Sequence, residues 1–342
     1  MKLFIVGSDK IYAIENFYVK YLRELGVEVM HFPAQSMFYD HYQKNTLHKL
    51  LYKAGVSNIL KRINQCFIKE VEKCKPDIIW IFKGMEIFPE SLKWAKSKSI
   101  KLVNYNGDSP FIFSGKGSGN KNVTDAIPLY DLFLTYNQED KKKMESKYQV
   151  RAEILPFGFD LDDQLFHECC KLKEVKKACF LGNPDSGRSK FLSDLAMKGI
   201  KMDVYGNSWN QFVNHKNITV NGPVYNQDFW KTLRKYRIQL NLMRPHNLTS
   251  HNMRTFEAAG VGAIELAPET PDHKNFFEEN EDIFLYNDVD SCYKQVNKIM
   301  DLSDLEAIKV RESVRVKSIG NGYSYKSRSK QSLAFLETLN FK

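Results

Sequence analysis

Apolar and polar positions fall in blocks along the chain, and the blocks switch repeatedly between the strand and the helix period. Residues 2–7 are a continuous apolar run closing on Gly7, as in a strand buried on both faces whose carboxyl end opens into a loop. Residues 11–25 place Ile14, Phe17, Tyr18, Tyr21, Leu22 and Leu25 at three- and four-residue spacings, which predicts a helix. Gly26 stops it and 27–32 resumes a strand. The same alternation predicts helix 57–73, strand 78–82, helix 89–96, strands 101–105 and 132–136, a lysine-rich helix 138–147 and strand 152–155. Strands alternating with helices imply a mostly parallel, doubly wound sheet that binds ligands at the carboxyl ends of its strands.

A second series repeats the pattern. Its predicted strands are 178–181, 202–205, 238–242, 262–266 and 283–286, with helices at 188–197, 226–236, 252–259 and 289–300. The charged stretch 160–177 reads as an inter-domain linker. The expected architecture is α/β, with two Rossmann-like domains, 1–160 and 177–322, facing each other across a cleft and joined by a linker at 161–176. A C-terminal helix within 323–342 is expected to pack back toward the first domain.

Length supports two cores: 342 residues exceed what one hydrophobic core usually holds. Hydrophobic residues at 43% and charged residues at 27% are globular values, which excludes a disordered chain. No apolar run approaches the roughly 20 residues needed to span a bilayer, and the first residues are too short for a signal peptide, so a cytoplasmic location is expected. Six cysteines without paired spacing read as reduced thiols. The net charge of +9 attracts anions, but scattered lysines without interleaved aromatics argue against nucleic acid. A solvated lysine-rich surface is the first reading of that charge, and peripheral docking on the anionic inner membrane the second.

The densest chemical signal is the run from Ser250 to Ile264. A polar loop containing His251 and Asn252 enters a short helix carrying Arg254 in its first turn and Glu257 one turn later, and Gly260-x-Gly262 turns into a buried strand. The unpaired amides and partial positive charge of a helix start suit a diphosphate, and a guanidinium there adds charge-assisted bonds. A carboxylate at Glu257 can accept two bonds from vicinal ribose hydroxyls. An ordinary helix-strand unit with a solvated Glu257 and glycines that only allow close packing accounts for the same residues. A second cluster runs from Phe180 to Arg188: Gly182 and Asn183 let backbone approach a phosphate or sugar, Ser186 reads as a helix cap, and Arg188 can neutralise charge, although a capped tight turn explains it equally. Tyr205 and Gly206 close the next strand and would flank the base; Arg244 belongs to the same candidate donor set. His246 and His251 flank the donor loop, with a surface role as the plainer reading. In the first domain Asp108 and Asp9 are the candidate general bases, Asp108 preferred, although the first fits a Ser-Pro turn and the second a helix cap. No histidine spacing suggests a metal site, and Asp160-Leu161-Asp162-Asp163 sits in linker context, so no catalytic metal or other cofactor is expected.

At these residues the sequence resembles the CgeB-like branch of the GT-B glycosyltransferases, whose C-terminal domain is of the glycosyl transferases group 1 type. The resemblance rests on Leu240-Asn241-Leu242, on Asn252-x-Arg254-x-Phe256-Glu257-Ala258 followed by Gly262-Ala263, and on Phe276-Phe277 with Ile283-Phe284-Leu285-Tyr286. Weaker echoes are Asn106-Gly107-Asp108-Ser109-Pro110, Tyr130-Asp131-Leu132 and Leu155 through Asp160. It implies a metal-independent enzyme of bacterial surface polysaccharide synthesis. Such an enzyme holds a nucleotide-sugar donor against Glu257, Arg254 and the Leu181-Gly182-Asn183 loop, and takes a saccharide or lipid-linked glycan acceptor on the N-terminal side. Thr249 stands where retaining relatives carry a second glutamate, which leaves the anomeric outcome open. A nucleotide-sugar epimerase of the same fold and a non-catalytic glycan or nucleotide binder are the alternatives.

Overall fold

A computed structural model describes residues 1–113, 117–245 and 247–339. It divides into two compact units: unit 1 comprises Met1–Pro156, Pro245–Asn247 and Tyr325–Lys342, and unit 2 comprises Phe157–Arg244 and Leu248–Ser324.

Unit 1 runs β1 (Lys2–Val6), α1 (Ile14–Glu24), β2 (Glu28–Phe32), α2 (Ala34–Gln43), α3 (Thr46–Lys53), α4 (Ile59–Cys74), β3 (Ile78–Phe82), α5 (Pro89–Ser97), β4 (Lys101–Asn106), α6 (Lys121–Ala126), β5 (Leu132–Thr135), α7 (Gln138–Tyr148) and β6 (Ala152–Ile154). The strands form one six-stranded sheet in the order β2-β1-β3-β4-β5-β6, with every neighbouring pair parallel. Sequence reading found this alternation but passed over α2, α3 and α6. The first helix starts at Ile14 rather than Ile11. Its cap position is Ala13, not Asp9, which is exposed and whose N–H bonds Ser36 Oγ at 3.2 Å.

Unit 2 runs α8 (Asp163–Cys170), β7 (Val175–Leu181), α9 (Ser186–Met197), β8 (Met202–Tyr205), β9 (Ile218–Asn221), α10 (Asn226–Lys235), β10 (Tyr236–Leu240), α11 (Met253–Val261), β11 (Glu265–Pro268), α12 (Pro271–Phe276), β12 (Ile283–Tyr286), α13 (Val289–Met300) and α14 (Asp304–Gly320). Its sheet is again six-stranded and parallel, ordered β12-β11-β10-β7-β8-β9. In each sheet the order reverses beside its first strand, between β1 and β3 and between β7 and β10, and such reversal points open a crevice at the carboxyl ends.

The last helix, α15 (Tyr325–Glu337), belongs to unit 1. Tyr325 is buried and stacks on Phe17 of α1 with ring centroids 4.7 Å apart. Arg151 Nη1 donates to Thr338 Oγ1 at 2.7 Å, tying the helix end to the approach to β6.

The stretch expected as a polar linker is folded. Asp162 caps α8 by accepting from the Leu165 amide at 2.8 Å, and Leu165 and Cys169 pack with Leu233, Ala258 and Val261. Charge hid this helix, because its two core residues are flanked by acids and lysines. Just beyond it, Glu174 accepts from Arg237 Nη2 at 2.5 Å and from Arg311 Nη2 at 2.8 Å, and both guanidiniums are fully or almost fully buried. Burial alone would raise the Glu174 carboxyl, but the bonds and charges of Arg237 and Arg311 outweigh it and hold the group below its ordinary range.

Two loops at the carboxyl edge of unit 2 are stitched together. Gly182 N–H donates to Tyr205 O at 2.9 Å, Asn207 N–H to Asn183 Oδ1 at 3.0 Å, and Trp209 Nε1 to Gly182 O at 2.8 Å. Gly206 has φ of 156°, and a Cβ there would overlap the Gly182 carbonyl.

Two outcomes follow. Glu174→Ala leaves buried Arg311 without its carboxylate and Arg237 with Asp304 alone, and should cost about 3–5 kcal/mol near pH 7, read from urea unfolding. A carboxyl held low stabilises above its unfolded pKa and loses that contribution as pH falls through the folded value, so the gap to wild type should narrow only as pH drops below the ordinary glutamate range. Gly206→Ala should cost roughly 1–3 kcal/mol in the same assay, because both the dihedral and the Gly182 carbonyl oppose a side chain.

Candidate functional site

The candidate donor residues of unit 2 gather at the carboxyl ends of β7, β8 and β10. Asp185, not Ser186, caps α9, accepting from the Arg188 amide at 2.9 Å. An aspartate one residue before a serine leaves the choice of cap ambiguous in sequence, and the extended backbone of Asp185 decides it. That cap sets Arg188 in the first turn, where Nη1 donates to Asn183 O at 3.2 Å and Nη2 to Leu242 O at 2.8 Å. Arg188 therefore bridges the loop after β7 and the loop after β10, across the reversal point of the sheet. Its guanidinium also lies over the Phe180 ring, 5.5 Å from the centroid.

Arg254 enters the same region from α11. Nη1 donates to Glu257 Oε2 at 3.0 Å, Nη2 to Leu181 O at 3.2 Å, and the guanidinium rests 4.6 Å from the centroid of Phe229. Burial pushes Arg188 down to about 10, and the like charges of Arg244 and Arg254 push the same way against the opposing pull of Asp185. A crevice in which guanidiniums repel one another is electrostatically prepared for an anion. Burial raises the Glu257 carboxyl while Arg254 draws it back; only 15% of its side chain is exposed, so it is not the solvated acid of the plainer reading.

A cavity of about 160 Å³ opens here, lined by Gly182, Asn183, Tyr205, Gly206, Tyr225 and Arg254 among others. Tyr205 contributes its ring while its hydroxyl pairs with the Tyr236 hydroxyl at 2.8 Å.

Two candidates have other work. Asn252 caps α11 through Thr255 N–H and exchanges bonds with Asn241 at 2.7 and 3.1 Å, so its side chain builds the helix start. His251 is fully buried rather than on the surface: Nδ1 pairs with Asp272 Oδ2 at 2.6 Å, and its ring packs on Phe157, Phe256 and Phe276. His246 lies outside the described residues. The two glycines of the motif serve packing: a Cβ on Gly260 would meet the Phe159 ring, and Gly262 is the left-handed end of α11 against the Arg311 carbonyl. Asp162 and Asp163 are a helix cap and an ion-pair partner of Arg315, and among the described residues no cluster of three metal-ligating side chains occurs.

In unit 1, Asp108 is engaged: Lys83 Nζ lies 2.6 Å from its Oδ2. Sequence reading missed two acids beside it. Glu15 of α1 is 7% exposed and accepts from Ser8 N–H at 3.0 Å, directly beneath Gly7 at the end of β1. Glu86, in the turn after β3, is equally buried. Burial pushes both up to about 7, opposed by their local amides and by the charge of Lys83. Only the β1–β3 reversal, which no local pattern reports, brings them together.

The comparisons with known proteins agree with this architecture. Residues 188–334 match a family model described as glycosyl transferase-like. No curated protein matches the chain. Sucrose-phosphate synthase from Thermosynechococcus elongatus superposes with a TM-score of 0.69 at 9% identity, over 99% of both chains. A trehalose-6-phosphate synthase gives 0.68 at 11% identity over the whole of both chains. HepE of Anabaena, determined in complex with UDP, gives 0.64 at 13%, over 99% of this chain and 100% of that one. No helix among the described residues is long and apolar enough to cross a membrane. The chain has the GT-B fold of glycosyltransferases, with a glycosyltransferase-like stretch covering the motif-bearing part of unit 2.

Proposed function

We propose that the protein is a glycosyltransferase that takes its sugar from a nucleotide-sugar donor bound at the carboxyl edge of unit 2. The observation that carries this reading is Arg188, planted across the β7–β10 reversal with Arg244 and Arg254 as like-charged neighbours. A diphosphate would relieve that repulsion. In this reading the amides at the start of α11 and the guanidiniums meet the negative charge that develops on the leaving nucleoside diphosphate, the point at which stabilisation lowers the barrier. They do so in place of a metal ion. Glu257, oriented by Arg254, accepts from the ribose hydroxyls, and the Tyr205–Gly206 edge flanks the base. HepE, with UDP bound, is a neighbour in fold, which favours a uridine nucleotide among the candidates.

Unit 1 receives the acceptor, a saccharide or lipid-linked glycan of surface polysaccharide synthesis in the CgeB-like manner. Its general base comes from the acids around the β1–β3 reversal: Asp108 when Lys83 releases it, with Glu15 the stronger base by virtue of its raised pKa. Asp9, exposed, is the weaker candidate.

A thermal-shift panel of UDP, GDP, CMP and dTDP should single out one nucleotide, with about 2.7 kcal/mol of stabilisation at about 100 times its dissociation constant. Glu257→Gln retains a carbonyl for Arg254 and should keep the unliganded melting temperature while losing affinity for both the winning nucleotide and its nucleoside. Arg188→Ala should weaken the diphosphate by roughly 10- to 100-fold, the worth of one charge-assisted contact, and leave the nucleoside unchanged. Equal loss for nucleoside and diphosphate in Arg188→Ala would remove the phosphate assignment. The absence of any shift across the panel would remove the donor site.

A further inference from the structure

The larger cavity is not at the donor residues. Unit 1 holds a cavity of about 600 Å³, within the range of small-molecule sites, walled by aromatic side chains of α2 and α3 and floored by the turn that follows β3. Phe38, Tyr42 and Tyr52 interlock: Phe38 and Tyr42 stack at 5.6 Å, and Tyr52 meets their edges at 4.9 and 5.6 Å. Tyr39 stands beside them at the mouth, 36% exposed.

The floor is rigid. Buried Asn64 of α4 donates to Glu86 O at 3.0 Å and accepts from Phe88 N–H at 2.8 Å and from Ser91 Oγ at 2.7 Å. Asn120 and Asn122 both donate to Met85 O, at 2.9 and 2.8 Å. These bonds fix the 85–88 turn so that Glu86 lines the cavity with a carboxyl more than nine-tenths buried and no side-chain donor paired to it among the described residues. The carboxyl accepts from its local backbone amide, which leaves it further acceptor capacity for a ligand hydroxyl.

We propose that this cavity binds a saccharide, seating the apolar face of a pyranose ring on the tyrosines of α2 and α3 while a ring hydroxyl donates to Glu86. The chemistry selects among occupants. An alkyl chain would gain nothing from a carboxyl. A nucleotide would bring phosphates toward the buried carboxyl, with only the solvated Lys53 at the lining to offset it. A sugar presents C–H faces that pack on rings and hydroxyls that donate, which matches both halves of the lining. The inference rests on the glycosyltransferase reading only in taking this saccharide to be the acceptor; the binding itself stands apart from the donor site.

The test uses the full-length protein and a panel of maltose, cellobiose, lactose and chitobiose, with binding followed by saturation-transfer NMR and titration calorimetry. At least one disaccharide should bind. Tyr39→Ala, a change at an exposed position, and the isosteric Glu86→Gln should each weaken it tenfold or more while the nucleotide-induced thermal shift persists, which shows the variants folded. Binding that both variants leave unchanged, or no disaccharide binding at all, overturns the proposal. So does binding of dodecyl phosphate that both variants abolish while the sugars stay silent. Loss of the nucleotide shift in the wild-type protein with sugar binding intact would instead remove the donor reading and spare this one.

Discussion

Burial of the Arg188 guanidinium beside the like charges of Arg244 and Arg254 is the constraint on which the carboxyl edge of the second sheet depends. Arg188 is kept where it is uncomfortable: capped into place by Asp185, bonded to the carbonyls of two loops and laid on an aromatic ring. The carbonyls and the ring orient the cation without neutralising it, and Asp185, 3.6 Å from Nε, offsets its charge only in part. Arg254 is treated alike by Leu181 and Phe229, and its carboxylate partner is Glu257 at 3.0 Å. Elsewhere in the same unit buried cations are matched by carboxylates, as Glu174 and Asp304 match Arg237 and Arg311.

The first sheet also reverses beside its first strand, but its order runs 2-1-3-4-5-6 where the second, counted from its own first strand, runs 3-2-1-4-5-6. At its reversal point lie Glu15 and Glu86, desolvated and carrying raised proton affinities, with Lys83 committed to Asp108. Each reversal point thus gathers its own charges, guanidiniums beside Glu257 in the second sheet and desolvated acids in the first.

Much of the scaffold was legible in the chain. Strands 202–205 and 283–286 are found to the residue, since apolar runs bounded by turn residues admit little else. The helix bearing Arg254 and Glu257 was found with its neighbours in the right order. What escaped had a physical reason. α3 does space Leu47, Leu50 and Leu51 as a helix would, but it is only 8 residues long and none is buried, while α2 buries only Ala34 and Ser36, so neither stands out as a core-facing element. His251 looked like a loop residue because nothing local announces Asp272 and the three phenylalanine rings that enclose it. The bond from Arg188 to Leu242, 54 positions apart, exists only once β10 lies beside β7. Glu15 and Glu86 resemble any helix-start or turn acid until the fold desolvates them.

The placement of α15 has a temporal consequence. Unit 1 is discontinuous in the chain: its sheet is complete by Ile154, yet Tyr325, which closes over Phe17 and Tyr18, emerges only after the whole of unit 2. At about 5–20 residues per second, a ribosome needs on the order of 10 s or more to deliver it. For that interval the aromatic face of α1 waits uncovered while unit 2 is translated. The amino-terminal half, first to be made, is thus the last to be finished, and nascent chains arrested before Tyr325 would present that sticky face to chaperones.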